Sequence, residues 1–198
     1  MKLPLSLIAV AAAVLLAGCS SKAAQPSPDP TEGPEPTESA VPVVLPSVAK
    51  KFTVTSSAFA DGQPIPAKYT CEGDGLLPPL AWSGDLNGGK SVAVVVDDPD
   101  APDGGFVHWF VVDLPVKPPA PLDPDKLPEG AKSAANTDGN PGWASPCPDE
   151  GTHHYRFTVY SLDGPSGVDE GTDPIEAIQK ITPHIKAYGQ LTGTVAKS

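Results

Sequence analysis

Positive charge is scarce in this chain: 13 Lys and Arg stand against 24 Asp and Glu, a formal net charge of −11 over 198 residues. Binding to a nucleic-acid backbone relies on clustered Lys and Arg, and here they are few and scattered, so nucleic acid is excluded as a partner. An anionic ligand would have to be captured by a local site against an unfavourable overall field. Enzymatic signatures are missing as well. There is no Gly-x-Ser-x-Gly elbow and no His-Glu-x-x-His pair, so neither motif supplies an activated nucleophile or a zinc hydrolase site. No internal repeat is visible, and no apolar run reaches the roughly 20 residues needed to cross a hydrocarbon core. Cysteine is limited to Cys19, Cys71 and Cys147.

What is present at the N-terminus is a lysine, Lys2, followed by an apolar stretch from Leu3 to Leu16. Charge followed by a short apolar run is the layout of a secretory signal. The four residues that close it and follow it, Leu16-Ala17-Gly18-Cys19, resemble a bacterial lipobox, with small residues ahead of a thiol that accepts diacylglycerol. Residues 1–18 are therefore expected to be a signal peptide, and Cys19 the lipidated first residue of the mature chain. Two or more acyl chains, each contributing about 0.8 kcal/mol per buried methylene, would hold it stably at a membrane on the extracytoplasmic side. From residue 19 to residue 50 the composition turns to Pro, Ser, Thr, Glu and Ala, as in PSPDPTEGPEPTES. Closely spaced prolines favour extended chain and neighbouring carboxylates repel, so this reads as a disordered stalk.

Residues 51–198 have the length of one domain with a single sizeable core. Phe52 to Thr55, Ser91 to Val96, Phe106 to Leu114, His154 to Leu162 and Gln190 to Val195 are β-rich and separated by Pro, Gly and Asp turns. Pro174 suits a first helical turn, and Ile175, Ile178, Ile181 and Ile185 recur at helical spacing toward Ala187, with Pro183 expected to kink or divide the pattern. Many short strands with one late helix predict a β-dominated sandwich or barrel-like core with a peripheral C-terminal helix.

Strand alternation selects among the histidines. Phe106, His108, Phe110 and Val112 are expected to share an apolar face, as are His153, Tyr155, Phe157 and Val159, which leaves His154 on the opposite side. Asp98 continues the stripe of Val92, Val94 and Val96 before Pro99 breaks the ladder. Two histidines, a tyrosine and an aspartate thus end apolar stripes beside the Gly- and Pro-rich segments DAPDGG and DGNPGWASPCPDEG. Core polar groups satisfying one another would look the same, but several converging at strand ends fit a small ligand pocket better.

The segments Asp98-Pro99-Asp100-Ala101-Pro102, His108-Trp109, Pro146-Cys147-Pro148 and Gly151-Thr152-His153-His154-Tyr155-Arg156-Phe157 together resemble the phosphatidylethanolamine-binding protein (PEBP) family, in its bacterial Raf-kinase-inhibitor-like branch. Tyr69 to Gly73, Pro78 to Trp82 and Thr158 to Asp163 extend the likeness over nearly all of Phe52 to Val195. The resemblance implies a β-sandwich of two antiparallel sheets with a cavity for phosphate or a phosphorylated head group, lined by Asp98, Pro102, His108, His153 and Tyr155, with Asp100 shaping the adjoining loop. Ser145 stands where the family usually has glycine, and Asp149 where a second proline is common. The implied function is binding of a small anionic or phosphorylated ligand, with inhibition or modulation of a partner protein as an extension, and with no cofactor. A metal-dependent or Cys/His hydrolase is the alternative, built on Cys147 beside His153 or on a triad of His108, His153 and Asp98. With Cys19 lipidated, Cys71 and Cys147 would most simply form a disulfide in an oxidising compartment, two free thiols being the other outcome.

Overall fold

The structure, a computed structural model, describes residues 48–49, 51–117 and 121–197. The expected signal peptide, Cys19 and nearly all of the stalk lie outside these residues. Among the described residues no helix is long and apolar enough to cross a membrane.

The elements follow from the placement of β-branched runs between turn-forming segments. In chain order they are β1 (Phe52–Ser56), β2 (Gln63–Pro64), β3 (Leu80–Gly84), β4 (Ser91–Asp98), β5 (Phe106–Leu114), β6 (Lys132–Ser133), β7 (Thr152–Leu162), α1 (Pro174–Ile181) and β8 (Ile185–Ala196). Strand β4, SVAVVVDD, is buried at all eight positions. Continuous burial without alternation requires cover on both faces, and β4 lies inside a six-stranded sheet of order β2-β8-β7-β4-β5-β6. All its pairings are antiparallel except that of the two-residue β2 with β8. Strands β1 and β3 form a separate two-stranded antiparallel sheet.

Two cores lie on the two faces of the large sheet. On one face Val92, Val94, Val96, Tyr155, Phe157 and Val159 pack with Phe52, Val54 and Leu80 of the small sheet. On the other, Ala93, Val95, Phe110, Tyr160 and Leu162 pack with Ala177, Ile178 and Ile181 of α1. The expected sandwich with a peripheral helix is thus present. The small sheet approaches β8 so closely that a Cβ at Gly189 would lie 2.7 Å from Phe52, and the segment after β2 comes as near, since a Cβ at Gly193 would lie 2.5 Å from Ile65. Only the missing side chain at these two positions admits that contact.

Helix α1 begins where expected: the Asp173 side chain accepts from the N–H groups of Ile175 and Glu176, and Pro174 occupies the first turn. It ends sooner, at Ile181, because Pro183 sits in a following 3₁₀ turn, Thr182–His184. Ile185 is the first residue of β8, not the last of a helix, and Ile175 is exposed. The isoleucine spacing therefore joins a short helical face to the start of a strand. The last strand begins five residues before Gln190, and β2, β3 and β6 carry too few residues or too weak an alternation to be read in advance.

A second correction concerns β5. Val96 pairs with Trp109 while Asp97 pairs with Val107, so His108 is an extra residue in the ladder. This bulge resets the alternation. Phe106 and His108 face one side, but Phe110 and Val112 turn to the helix side and Trp109 and Val111 take the side of the first core. The predicted single face Phe106, His108, Phe110 and Val112 is broken after His108. In β7 the set His153, Tyr155, Phe157 and Val159 is buried as expected, while Thr158 and Tyr160 on the other face are buried too, because the helix layer covers them.

Candidate functional site

The C-terminal end of β4 and the N-terminal ends of β5 and β7 meet at one end of the large sheet, and loops flank them to form a cavity of about 530 Å³ that opens to solvent. All six residues singled out from the sequence, Asp98, Asp100, Pro102, His108, His153 and Tyr155, line it. Phe106, Asp138, Asp149 and Glu150 line it as well, and sequence reasoning did not select them as site residues. Phe106 opens β5 and was placed on the face of His108 as an apolar residue; the loops of Asp138, Asp149 and Glu150 were visible as Gly- and Pro-rich segments, but a loop has no periodicity from which to deduce an inward-facing side chain.

Asp98 is the pivot of the cavity floor. It is 3% exposed, and its Oδ1 accepts from the backbone N–H groups of Asp100 (2.9 Å) and Ala101 (3.1 Å). Its Oδ2 lies 2.7 Å from Nδ1 of His153. The turn that Pro99 forces after β4 is what brings those two N–H groups back onto the carboxylate. Two residues on, in the turn after β4, Asp100 Oδ2 accepts from the backbone N–H of His154 (2.8 Å) and sits 2.7 Å from that residue's Nδ1. Burial nudges the Asp100 pKa upward, but the side-chain and backbone hydrogen bonds from His154 outweigh it and hold the carboxyl below its usual range. His154 is exposed, as alternation predicts, yet it braces the cavity wall from outside through Asp100.

His108 is 6% exposed, with Nδ1 2.9 Å from the carbonyl oxygen of Ala144. A carbonyl only accepts, so Nδ1 carries the hydrogen and Nε2 of the neutral ring is a lone pair. Burial dominates its titration and lowers its pKa, although the Ala144 bond and the charges of Asp98 and Asp138 oppose that shift. The ring packs against Phe106, with centroids 4.6 Å apart, and edge-on to Tyr155 at 5.2 Å. Tyr155 is itself fully buried. Burial, followed by the charge and hydrogen bond of Asp98, pushes its phenol pKa upward, so it remains protonated.

The loop that closes the cavity is pinned from one side. Cys71 and Cys147 form a disulfide, the Cys71 N–H donates to Pro146 O (3.0 Å), and Trp143 Nε1 donates to Gly75 O (2.8 Å). The disulfide also removes the Cys/His hydrolase arrangement as it was framed, because the Cys147 sulfur is bonded and offers no thiolate. Positive φ outside glycine occurs, among the described residues, at Asn87, Asp103 and Asp113, so Ser145 is accommodated without a left-handed backbone. Among the described residues no group of three or more His, Cys, Asp or Glu is arranged to hold a metal ion; the Nδ1 atoms of His108 and His153 face Ala144 and Asp98 instead.

The fold corresponds to a known class. The profile of the family described as phosphatidylethanolamine-binding protein matches residues 55–196, and the chain belongs to that family. Among its relatives, a Mycobacterium tuberculosis protein named as the lipoprotein LppC is 36% identical over 193 residues, covering 96% of this chain and 94% of its own. Two solved structures share the fold. YbcL of E. coli, described as a member of the mammalian PEBP family, superposes with a TM-score of 0.69 at 33% identity, over 75% of this chain and 99% of its own. A phosphatidylethanolamine-binding protein homologue from Chlamydia trachomatis gives 0.68 at 35% identity, over 76% and 100%.

Proposed function

We propose that this protein is a lipid-anchored, extracytoplasmic binding protein whose cavity takes one small phosphorylated group. The observation that carries the reading is the convergence of Asp98, His108, His153 and Tyr155 on a single cavity at the end of the sheet. A concave site with a few oriented polar groups over an apolar floor is the usual make-up of a small-molecule pocket. Export and anchoring are supported by the lipobox-like Leu16 to Cys19 and by similarity to a lipoprotein-named relative that extends well beyond the domain into the N-terminal segment.

Calorimetric titration of the full-length chain with inorganic phosphate and with phosphoethanolamine tests the ligand reading. His153→Ala is expected to weaken binding by about tenfold or more, the scale of one hydrogen bond to a charged group. No measurable binding of either compound at millimolar concentration overturns it.

A further inference from the structure

Five carboxylates line the cavity, Asp98, Asp100, Asp138, Asp149 and Glu150, and no Lys or Arg does. That is a poor setting for a bare phosphate dianion. The hydrogen-bond geometry narrows the problem further. Asp98 is already engaged by two backbone N–H groups, by His153 and by the hydroxyl of Tyr155. The ring of His108 gives its hydrogen to Ala144, and its Nε2 has no hydrogen-bond partner among the described residues. A neutral His108 therefore offers the ligand an acceptor, not a donor.

Resting on the phosphate-binding reading above, we infer that the cavity takes up its ligand together with one proton and recognises it as a hydrogen-bond donor, so that a phosphate monoester fits where a phosphodiester does not. The monoanion of a monoester keeps one P–O–H group, whose second ionisation lies near pH 6. That hydroxyl can donate to Nε2 of His108, placing the shared proton between the phosphate oxygen and the ring nitrogen. A diester has no such hydroxyl. It would either confront the lone pair of His108 with an anionic oxygen or require that ring to become charged.

Charging the ring is disfavoured by its surroundings. His108 is packed between Phe106, Trp143 and Tyr155, and burial lowers its pKa. The ionisable groups that face it are Asp98 and Asp138, which favour the charged ring, and His153, which opposes it. Tyr155 stays protonated beside it. The remaining carboxylates, Asp100, Asp149 and Glu150, lie along the same cavity wall and act alike on any ligand charge. A site that depends on a ligand hydroxyl rejects the analogue without it far more strongly than an apolar pocket can, because the buried partner is left unsatisfied.

The test uses phosphoethanolamine and its diester counterpart, glycerophosphoethanolamine. Both carry the same ammonium group and, once the monoester has taken up its proton, the same phosphate charge, so the acidic lining acts alike on the two bound forms. Titration of the full-length chain at pH 7.5, in buffers of different ionisation enthalpy, counts the protons taken up. The monoester is expected to bind at least about tenfold tighter than the diester, with uptake approaching one proton at pH 7.5 and falling toward zero at pH 5. His108→Gln, which presents an amide N–H in place of the lone pair, is expected to narrow the monoester preference and reduce proton uptake, with circular dichroism confirming the fold. Equal affinity for the two ligands, or monoester binding without proton uptake at pH 7.5, overturns the inference while leaving phosphate binding intact. Failure of both ligands to bind removes the phosphate reading and this inference with it.

Discussion

Asp98 and His153 stand 55 residues apart in sequence and 2.7 Å apart in space, and the same carboxylate also gathers the two backbone N–H groups that shape the loop after β4. One residue thus fixes both an imidazole and a turn. Asp98→Ala is expected to cost roughly 2–4 kcal/mol of stability, from lost charge-assisted hydrogen bonds and the unpaired groups left behind, and to weaken phosphate binding. Denaturant unfolding and calorimetry check both. A variant that loses neither would mean that the turn and the ring are held by other contacts.

His108 gives the domain a pH dependence of definite sign. Its folded pKa is lowered by burial, so between that value and the unfolded one near 6.5 the unfolded chain binds more protons than the folded chain. This contribution to stability is present at neutral pH and is lost as pH falls from about 6.5 toward the folded pKa. Relative to wild type, His108→Gln is expected to flatten the decline in unfolding free energy between pH 7 and pH 5. Parallel slopes for the two proteins would show that His108 titrates alike in both states.

Beneath the cavity, on the other face of the sheet, Arg156 pairs with Asp97 through Nε, 3.2 and 3.1 Å from the two carboxylate oxygens, and through a further contact from Nη2. Burial raises the Asp97 pKa, and Arg156 only partly offsets it. Arg156→Met is expected to destabilise the domain by about 3–5 kcal/mol, since it strands a buried carboxylate, whereas Arg156→Met combined with Asp97→Leu should recover most of that loss. A double variant no better than the single one would mean that the pair does more than satisfy itself.

Replacing Cys71 and Cys147 together with serine opens a link between residues 76 positions apart. Loop entropy alone puts the cost at about 4 kcal/mol, and amide exchange should rise first around Trp143 to Cys147. If exchange rises uniformly over the domain, the disulfide acts only on the unfolded chain and does not pin the loop.

Cys19→Ser is expected to move the protein from the detergent phase to the aqueous phase in a phase-separation assay, or to leave an uncleaved precursor. Identical partitioning of the wild type and the variant would remove the lipoprotein reading.

Much of the site was legible because its residues end apolar strands. Asp98, His153 and Tyr155 lie on regular portions of β4 and β7, where alternation assigns a face correctly. His108 was located, but its neighbours were misassigned, since a bulge depends on how two strands pair and leaves no mark in one strand's own pattern. The same limit applies to Ile185, whose spacing from Ile181 fits a helix although β8 begins there. Asp138 and Glu150 escaped notice because loop side chains are aimed by tertiary contacts, here the disulfide and the Trp143–Gly75 hydrogen bond.

Arg156 is the single arginine in the sequence, and its guanidinium is bound to Asp97. Every other cation in the chain is a lysine or histidine, a terminal amine aside. The protein consequently presents no free planar fork of donors, the group best suited to grip a phosphate through two parallel hydrogen bonds. Phosphates displayed on a membrane or on another protein meet only point charges and a negative overall field. Such a surface is ill suited to compete for the phosphorylated groups around it, so under the proposed function discrimination among them would fall to the buried imidazoles.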